Sequence, residues 1–407
     1  MDPQMQTNTE IVLARLTAGM PGLAVDQMEN FRENVQLAIE GGLAARTVRA
    51  LHDDGRRWAE WCVREGECWL PAAPRVVARF LKEMGALYKP ATLDRLAFSI
   101  RTWHLLAEVE PPVKSIKVKM VRKAHAREVG RAQAQANGLT LAKIECIIRF
   151  LEDPNRDRTL ADLRDKALLL TGYNMLARGG ELLALKWSDV VEDGRGGHVA
   201  IIRRSKTDQE GEGARQHLWP RTVEALMAWK EAHDAELARR RADEPDRLKR
   251  LAVGRCPAGT GRGRPRLRAP REPRPLVWIE TDFVFRGLAP ALVGAKPPPG
   301  HADARTYFGW PPRLTVAGLD EILKIRALDG GLVDGGYSSH SMRVGATQDM
   351  VAEGYDVTAI MQAGRWKTPT MIARYAANLA AGRSAMAQMG TSSAAPARQK
   401  EKAPDAP

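Results

Sequence analysis

Residues 129–138 (VGRAQAQANG) are polar or small and offer almost nothing to bury, so the chain must build one core before them and another after them. Upstream, apolar residues recur at helical spacing from about residue 27 to residue 128. One segment covers 44–64 with Val48, Leu51, Trp58, Trp61 and Cys62 on its apolar face. A second covers 74–87 and is announced by Pro71 and Pro74. A third, 91–108, follows Pro90 and carries Leu93, Leu96, Ile100, Trp103 and Leu106. A fourth, 113–127, is basic, with Lys114, Lys117, Lys119, Arg122, Lys123 and Arg127. These residues read as an all-helical bundle with cationic edges.

Downstream of the linker the period is mixed. Helices are expected over 139–151, 160–175 (capped by Thr159) and 181–187. Residues 199–203 and 216–219 read as two strands of an antiparallel hairpin with Lys206 at the start of its turn. Helices follow at 223–240, 316–328 and 341–353, and Thr368-Pro369 reads as N-cap and first residue of another. Residues 277–285 suggest a short strand. Residues 241–275 are rich in Arg, Pro and Gly and read as a loosely ordered basic insert; 1–26 read as a flexible leader and 390–407 as a disordered tail. The expected fold is therefore mainly α: an N-terminal helical domain over 27–128 and a mostly helical second domain over 139–389 with a small antiparallel sheet.

The formal net charge of +13 points to a polyanionic partner, although a basic surface can also serve solubility alone. No apolar run reaches membrane-spanning length and no signal pattern opens the chain, so a cytoplasmic location is expected. Cys62, Cys68, Cys146 and Cys256 lack metal-ligand spacing and read as reduced packing residues.

Chemistry concentrates in 339–378, SHSMRVGATQDMVAEGYDVTAIMQAGRWKTPTMIARYAAN. His340 and Arg343 are three apart, which on a helix puts them on one face; Trp366 and Tyr375 follow. Far upstream, MLARGGELLAL sets Arg178 and Glu181 three apart beside glycines that let backbone approach a ligand. Two arginines can offer planar forks to phosphate oxygens. Each residue alone has a plain reading: Tyr375 with Met371 and Ile372 as core, His340 as a structural hydrogen bonder, Arg178 and Lys206 as solvated charges.

The set as a whole resembles the tyrosine recombinase (phage integrase) family. Arg178-x-x-Glu181, the hairpin Lys206, His340-x-x-Arg343, Trp366 after a glycine-arginine pair, and Tyr375 nine residues later follow the family's order and rough spacing. RRWAEWC (56–62) resembles its N-terminal domain, so the likeness covers roughly residues 27–389. The resemblance implies a site-specific DNA recombinase, working without metal or ATP, that forms a 3′-phosphotyrosine and passes through a Holliday junction. Tyr375 would be the nucleophile, Arg178 and Arg343 the phosphate clamp, and Lys206 the general acid. His340 would assist proton transfer, Trp366 would donate its indole N–H, and Glu181 would position His340. By the same likeness the two domains form a C-shaped clamp on a palindromic duplex site. Arg49, Thr92, Arg95 and Arg286 would contact DNA, and Ala317 stands where family members read a guanine. Residues 376–389 would dock onto a neighbour in a homotetramer. The alternatives are a catalytically inactive DNA-binding protein of this fold, or a type IB topoisomerase or telomere resolvase.

Overall fold

The computed structural model describes residues 23–131, 135–205, 211–253, 277–278, 282–288, 291–292, 308–310 and 314–377. The chain divides into two compact units, the second beginning at Gln135.

The first unit is all helical: α1 (Val25–Leu37), a single π turn (Ala38–Gly42), α2 (Ala45–Glu65), α3 (Pro74–Gly85), α4 (Pro90–Leu106) and α5 (Ile116–Val129). Proline opens α3 and α4 at their first position, where its missing N–H costs nothing. Gly66, at φ 65°, closes α2 in the left-handed conformation. The core is aromatic: the Trp58 ring centroid lies 4.8 Å from Phe80 and 5.7 Å from Trp61, all buried. Three buried indoles find acceptors, Trp58 on Trp69 O at 3.0 Å, Trp61 on Glu83 at 2.8 Å and Trp103 on Leu51 O at 3.2 Å. Cys62 is buried here as a free thiol, and desolvation, with Cys68 and Glu67 nearby, pushes it up to about 12.

The second unit is built around α7 (Leu160–Asn174), preceded by α6 (Leu141–Leu151). Thr159 caps α7 reciprocally with Asp162: Thr159 N–H donates to the carboxylate at 2.9 Å, and Asp162 N–H donates to the threonine hydroxyl at 3.2 Å. From Ala167 to Tyr173 every residue of α7 is buried, so it serves as the axis of the unit. Short α8 (Gly179–Ala184) leads into an antiparallel sheet ordered β1 (Val190–Glu192), β2 (His198–Ile202), β3 (Ala214–Leu218), registered Val190↔Ala200 and His198↔Leu218. The hairpin matches expectation; β1 adds a third strand, too short to carry a pattern of its own.

Helix α9 runs Pro220–Val253, so residues 241–253, expected to belong to the basic insert, continue a helix. Their Arg, Glu, Leu and Ala content favours helix despite the polarity. Residues 254–275 lie outside the described residues. Of the expected strand over 277–285, the described residues hold β4 (Val277–Trp278), parallel to β6 (Phe308–Trp310), which also pairs antiparallel with β5 (Ala291–Leu292); residues 279–281 lie outside the described residues. Then come α10 (Val316–Asp329), α11 (Ser341–Ala352), α12 (Val357–Gly364) and α13 (Thr370–Tyr375). Among the described residues no helix is long and apolar enough to cross a membrane.

Helix α11 is held in place by two sets of contacts. Residues 135–139, expected mostly as linker, are tied into the second unit: Asn137 donates to Gly335 O at 2.8 Å and Leu139 N–H to Ser341 O at 2.9 Å. Gly345 of α11 lies so near this chain that a Cβ would sit 2.0 Å from Leu139 O, a crossing only glycine permits. Asp349 then accepts from Leu141 N–H at 2.7 Å and from the Tyr173 hydroxyl at 2.6 Å, locking α11 to α6 and α7.

Candidate active site

His340 is the residue preceding α11, and Arg343 sits in its buried first turn. Three-residue spacing thus delivers both side chains to one side, as helical geometry requires. The Tyr375 hydroxyl at the end of α13 lies 2.6 Å from His340 Nε2, with the two rings edge to face at 5.5 Å. Tyr375 is only 5% exposed, and its backbone carbonyl accepts from Gln348 at 3.1 Å and Gln135 at 3.3 Å. Trp366 packs its ring 5.9 Å from Tyr375 and 4.6 Å from the Arg343 guanidinium. Gly364 makes room for that indole, since a Cβ there would meet its ring at 2.1 Å.

Arg343 is fully buried and donates to the carbonyls of Leu176 and Gly364. Arg178 is the residue preceding α8; its guanidinium lies 2.5 Å from Glu181 Oε1, while its N–H donates to Glu181 Oε2 at 3.1 Å. Glu181 therefore engages arginines. Its second partner is Arg365, whose Nη2 donates to Oε2 at 2.7 Å. Glu181 is expected to position His340; its hydrogen bonds go to Arg178 and Arg365, and it acts on His340 as a nearby charge.

Electrostatics sort the protons. Burial drives the Tyr375 phenol above its ordinary value, with Arg343, Arg178 and Arg374 pulling the other way, so it is protonated at neutral pH. Burial, then Arg343, Arg178 and Arg374, push His340 below its ordinary value, leaving a neutral imidazole that can accept the phenol's proton. Burial and the flanking Arg178 and Arg365 lower Arg343 to about 10, and it stays charged. Burial opposes Glu181 ionisation, but Arg365 and Arg178 overcome it and hold its carboxyl low.

Six of the seven expected catalytic residues, Arg178, Glu181, His340, Arg343, Trp366 and Tyr375, thus fall in the second unit in linked contacts. Lys206 lies outside the described residues, as does the chain from 378 onward. The helix start near Thr368 differs by one residue: Pro369 stands at the N-cap, α13 begins at Thr370, and Thr368 Oγ1 reaches the Thr370 hydroxyl at 3.4 Å.

The expected DNA contacts scatter. Arg49 is exposed on α2 and Thr92 half-buried on α4. Arg95, 44% exposed at its side chain, is paired to the buried Asp54, which Ser99 also engages at 2.8 Å. Arg286 is 7% exposed and donates to Phe283 O at 2.8 Å, so it is an internal ion, not an open groove residue. Ala317 is exposed at the start of α10. On α5 the exposed cations are Lys117, Lys119, Lys123 and Arg127. Sequence reasoning missed Arg365, because nothing in GRW reveals that the arginine turns inward.

No family model matches the chain. It is 23% identical over 377 residues to the recombinase Cre of Escherichia phage P1, covering 91% of this chain and 96% of that protein. It is 25% identical over 192 residues to an integrase/recombinase XerD homologue of Selenomonas ruminantium, covering 46% of this chain and 55% of the relative. Among solved structures, XerH site-specific recombinase bound to palindromic difH substrate, in its post-cleavage complex, superposes with a TM-score of 0.52 at 12% identity, covering 95% of this chain and 94% of that one. The fold is that of the tyrosine recombinases, and the likeness to Cre runs nearly end to end.

Proposed function

We infer that this chain, a tyrosine recombinase by its likeness to Cre and by its fold, is a site-specific DNA recombinase that cuts and rejoins duplex DNA through a 3′-phosphotyrosine. The observation that carries this reading is the 2.6 Å contact between Tyr375 and a neutral His340, beside Arg178 and Arg343. On a bound scissile phosphate, the Tyr375 oxygen attacks phosphorus while its proton passes to His340 Nε2. The phosphorus–O5′ bond breaks, and Lys206 supplies the proton that makes the 5′-hydroxyl. Arg178 and Arg343 balance the charge on the non-bridging oxygens as the transition state forms, the term that weighs most in such a site. Trp366 fixes the Arg343 plane by stacking beneath it. Attack of a 5′-hydroxyl on the phosphotyrosine reverses the step, so no external energy source enters. Two such exchanges between paired duplexes pass through a Holliday junction.

The partner in this reading is a duplex with inverted half-sites that both units contact, with the tetramer joined through residues 376–389. Phosphate contact falls to the exposed cations of α5. An alanine at 317 cannot make an arginine's bidentate contact to guanine, so the target differs from that of relatives with arginine there.

The test is a nicked suicide duplex carrying the inverted repeat that flanks the gene, resolved on a denaturing gel. Wild type is expected to give a covalent protein–DNA band, and Tyr375→Phe none. Binding with no wild-type band would favour an inactive DNA-binding protein. Relaxation of plasmids lacking the site would favour a topoisomerase.

A further inference from the structure

Arg365 ends α12 at φ 55°, ψ 46°, a left-handed conformation that a residue with a side chain adopts only at a conformational cost. Glycine would hold that turn without the cost. The side chain then turns inward to 12% exposure, donating to Glu181 Oε2 at 2.7 Å and to Met175 O at 3.1 Å. On the same carboxylate, Oε1 is 2.5 Å from Arg178. Glu181 is thus a bridge between two guanidiniums, one per oxygen. Met175 lies three residues before Arg178, so Arg365 also grips the turn that presents it.

We propose that Arg365 is a positioning residue for the strand-cleavage step, acting through Glu181 to fix the Arg178 guanidinium toward the scissile phosphate. The proposal rests on the recombinase reading of the site. With one carboxylate oxygen anchored by Arg365, the other has a single orientation to offer, and the Arg178 fork is held before DNA arrives. Such pre-organisation matters because a guanidinium misplaced by about 1 Å can cost on the order of a hundredfold in rate. The alternative, that Arg365 itself binds phosphate, predicts an effect that does not depend on Glu181.

Single-turnover cleavage of the suicide duplex at saturating protein tests this with Arg365→Gln, Arg365→Lys, Glu181→Gln and the double variant Arg365→Gln/Glu181→Gln. Arg365→Gln is expected to slow cleavage about tenfold to a hundredfold with DNA binding unchanged. Arg365→Lys recovers most of the rate, since it restores a cation to Oε2. In the Glu181→Gln background the Arg365→Gln change adds no more than about twofold, the non-additivity expected of two residues acting as one. The pH profile gives a second readout. Glu181 faces Arg178, Arg365, Arg343 and His340, and losing Arg365 lets burial raise its carboxyl. The acid limb of cleavage therefore moves to higher pH in Arg365→Gln, and the move vanishes when Glu181 is glutamine. If Arg365→Gln does not fold, Arg365→Gly, relaxed at this backbone angle, carries the same test. Wild-type cleavage with an unaltered rate in the Arg365 variants overturns the proposal, as does an equal loss with and without Glu181. A wild type that forms no covalent complex removes the recombinase reading, and this inference with it.

Discussion

At the scale of single residues, the site depends on which group holds a proton. His340 is half-buried among Arg343, Arg178 and Arg374, with Tyr375 and Glu181 alongside, and its folded-state pKa lies below the ordinary 6.5. The unfolded chain therefore takes up the proton first as pH falls. The neutral His340 contributes stability that is present above about pH 6.5 and lost below it. An NMR titration of the free protein should find the His340 ring protonating below 6.5. A midpoint above that value would mean the three arginines do not bear on it and would remove its role as proton acceptor. Neither burial nor charged neighbours can be read from SHSMR alone; what can be read is the helical phase that aligns His340 with Arg343.

At the scale of elements, α7 and α10 are joined by ions inside the second unit. Arg326 of α10 reaches Asp162 at 2.9 Å, Asp165 at 2.8 Å and Asp329 at 3.0 Å, and the two α7 carboxylates are almost wholly buried. Removing the cation leaves charges that water cannot reach. Arg326→Met should thus destabilise the protein by about 3–5 kcal/mol in chemical unfolding, whereas a surface arginine such as Arg149 should cost less than about 0.5 kcal/mol. A loss near zero would mean that Asp162 and Asp165 find other donors. The starts of these elements were legible from Thr159, Pro74 and Pro90, because capping is decided within three or four residues. Helix α9 was harder. The same arginines that suggest a loose insert over 241–253 are good helix formers, and composition alone does not separate the two.

At the scale of the whole molecule, the net charge of +13 and the exposed cations of α5 imply, on the recombinase reading, that binding to duplex DNA is a matter of counterion release. Affinity measured by fluorescence anisotropy should fall by about 10³-fold or more between roughly 50 and 200 mM salt. A flat salt response would mean that the basic surface serves solubility and not phosphate contact. The chain is expected to change cores across the polar 129–138 stretch; the boundary between the two compact units lies near residue 134, and Asn137 and Leu139 hydrogen-bond onto the second unit.

By itself the sequence determined the mainly helical class and the hairpin, and it nominated the candidate catalytic side chains, because periodicity, caps and motif spacing are local in the chain. Tertiary structure decided which of those side chains meet. His340 reaches Tyr375 across 35 positions, and Arg365 reaches Glu181 across 184. Such contacts depend on how helices pack, and on one backbone angle at Arg365 that turns an apparent surface arginine inward. The same packing turned Arg286 onto the Phe283 carbonyl and spent Arg95 on Asp54, since a charge near a buried opposite charge is held there more strongly than by water.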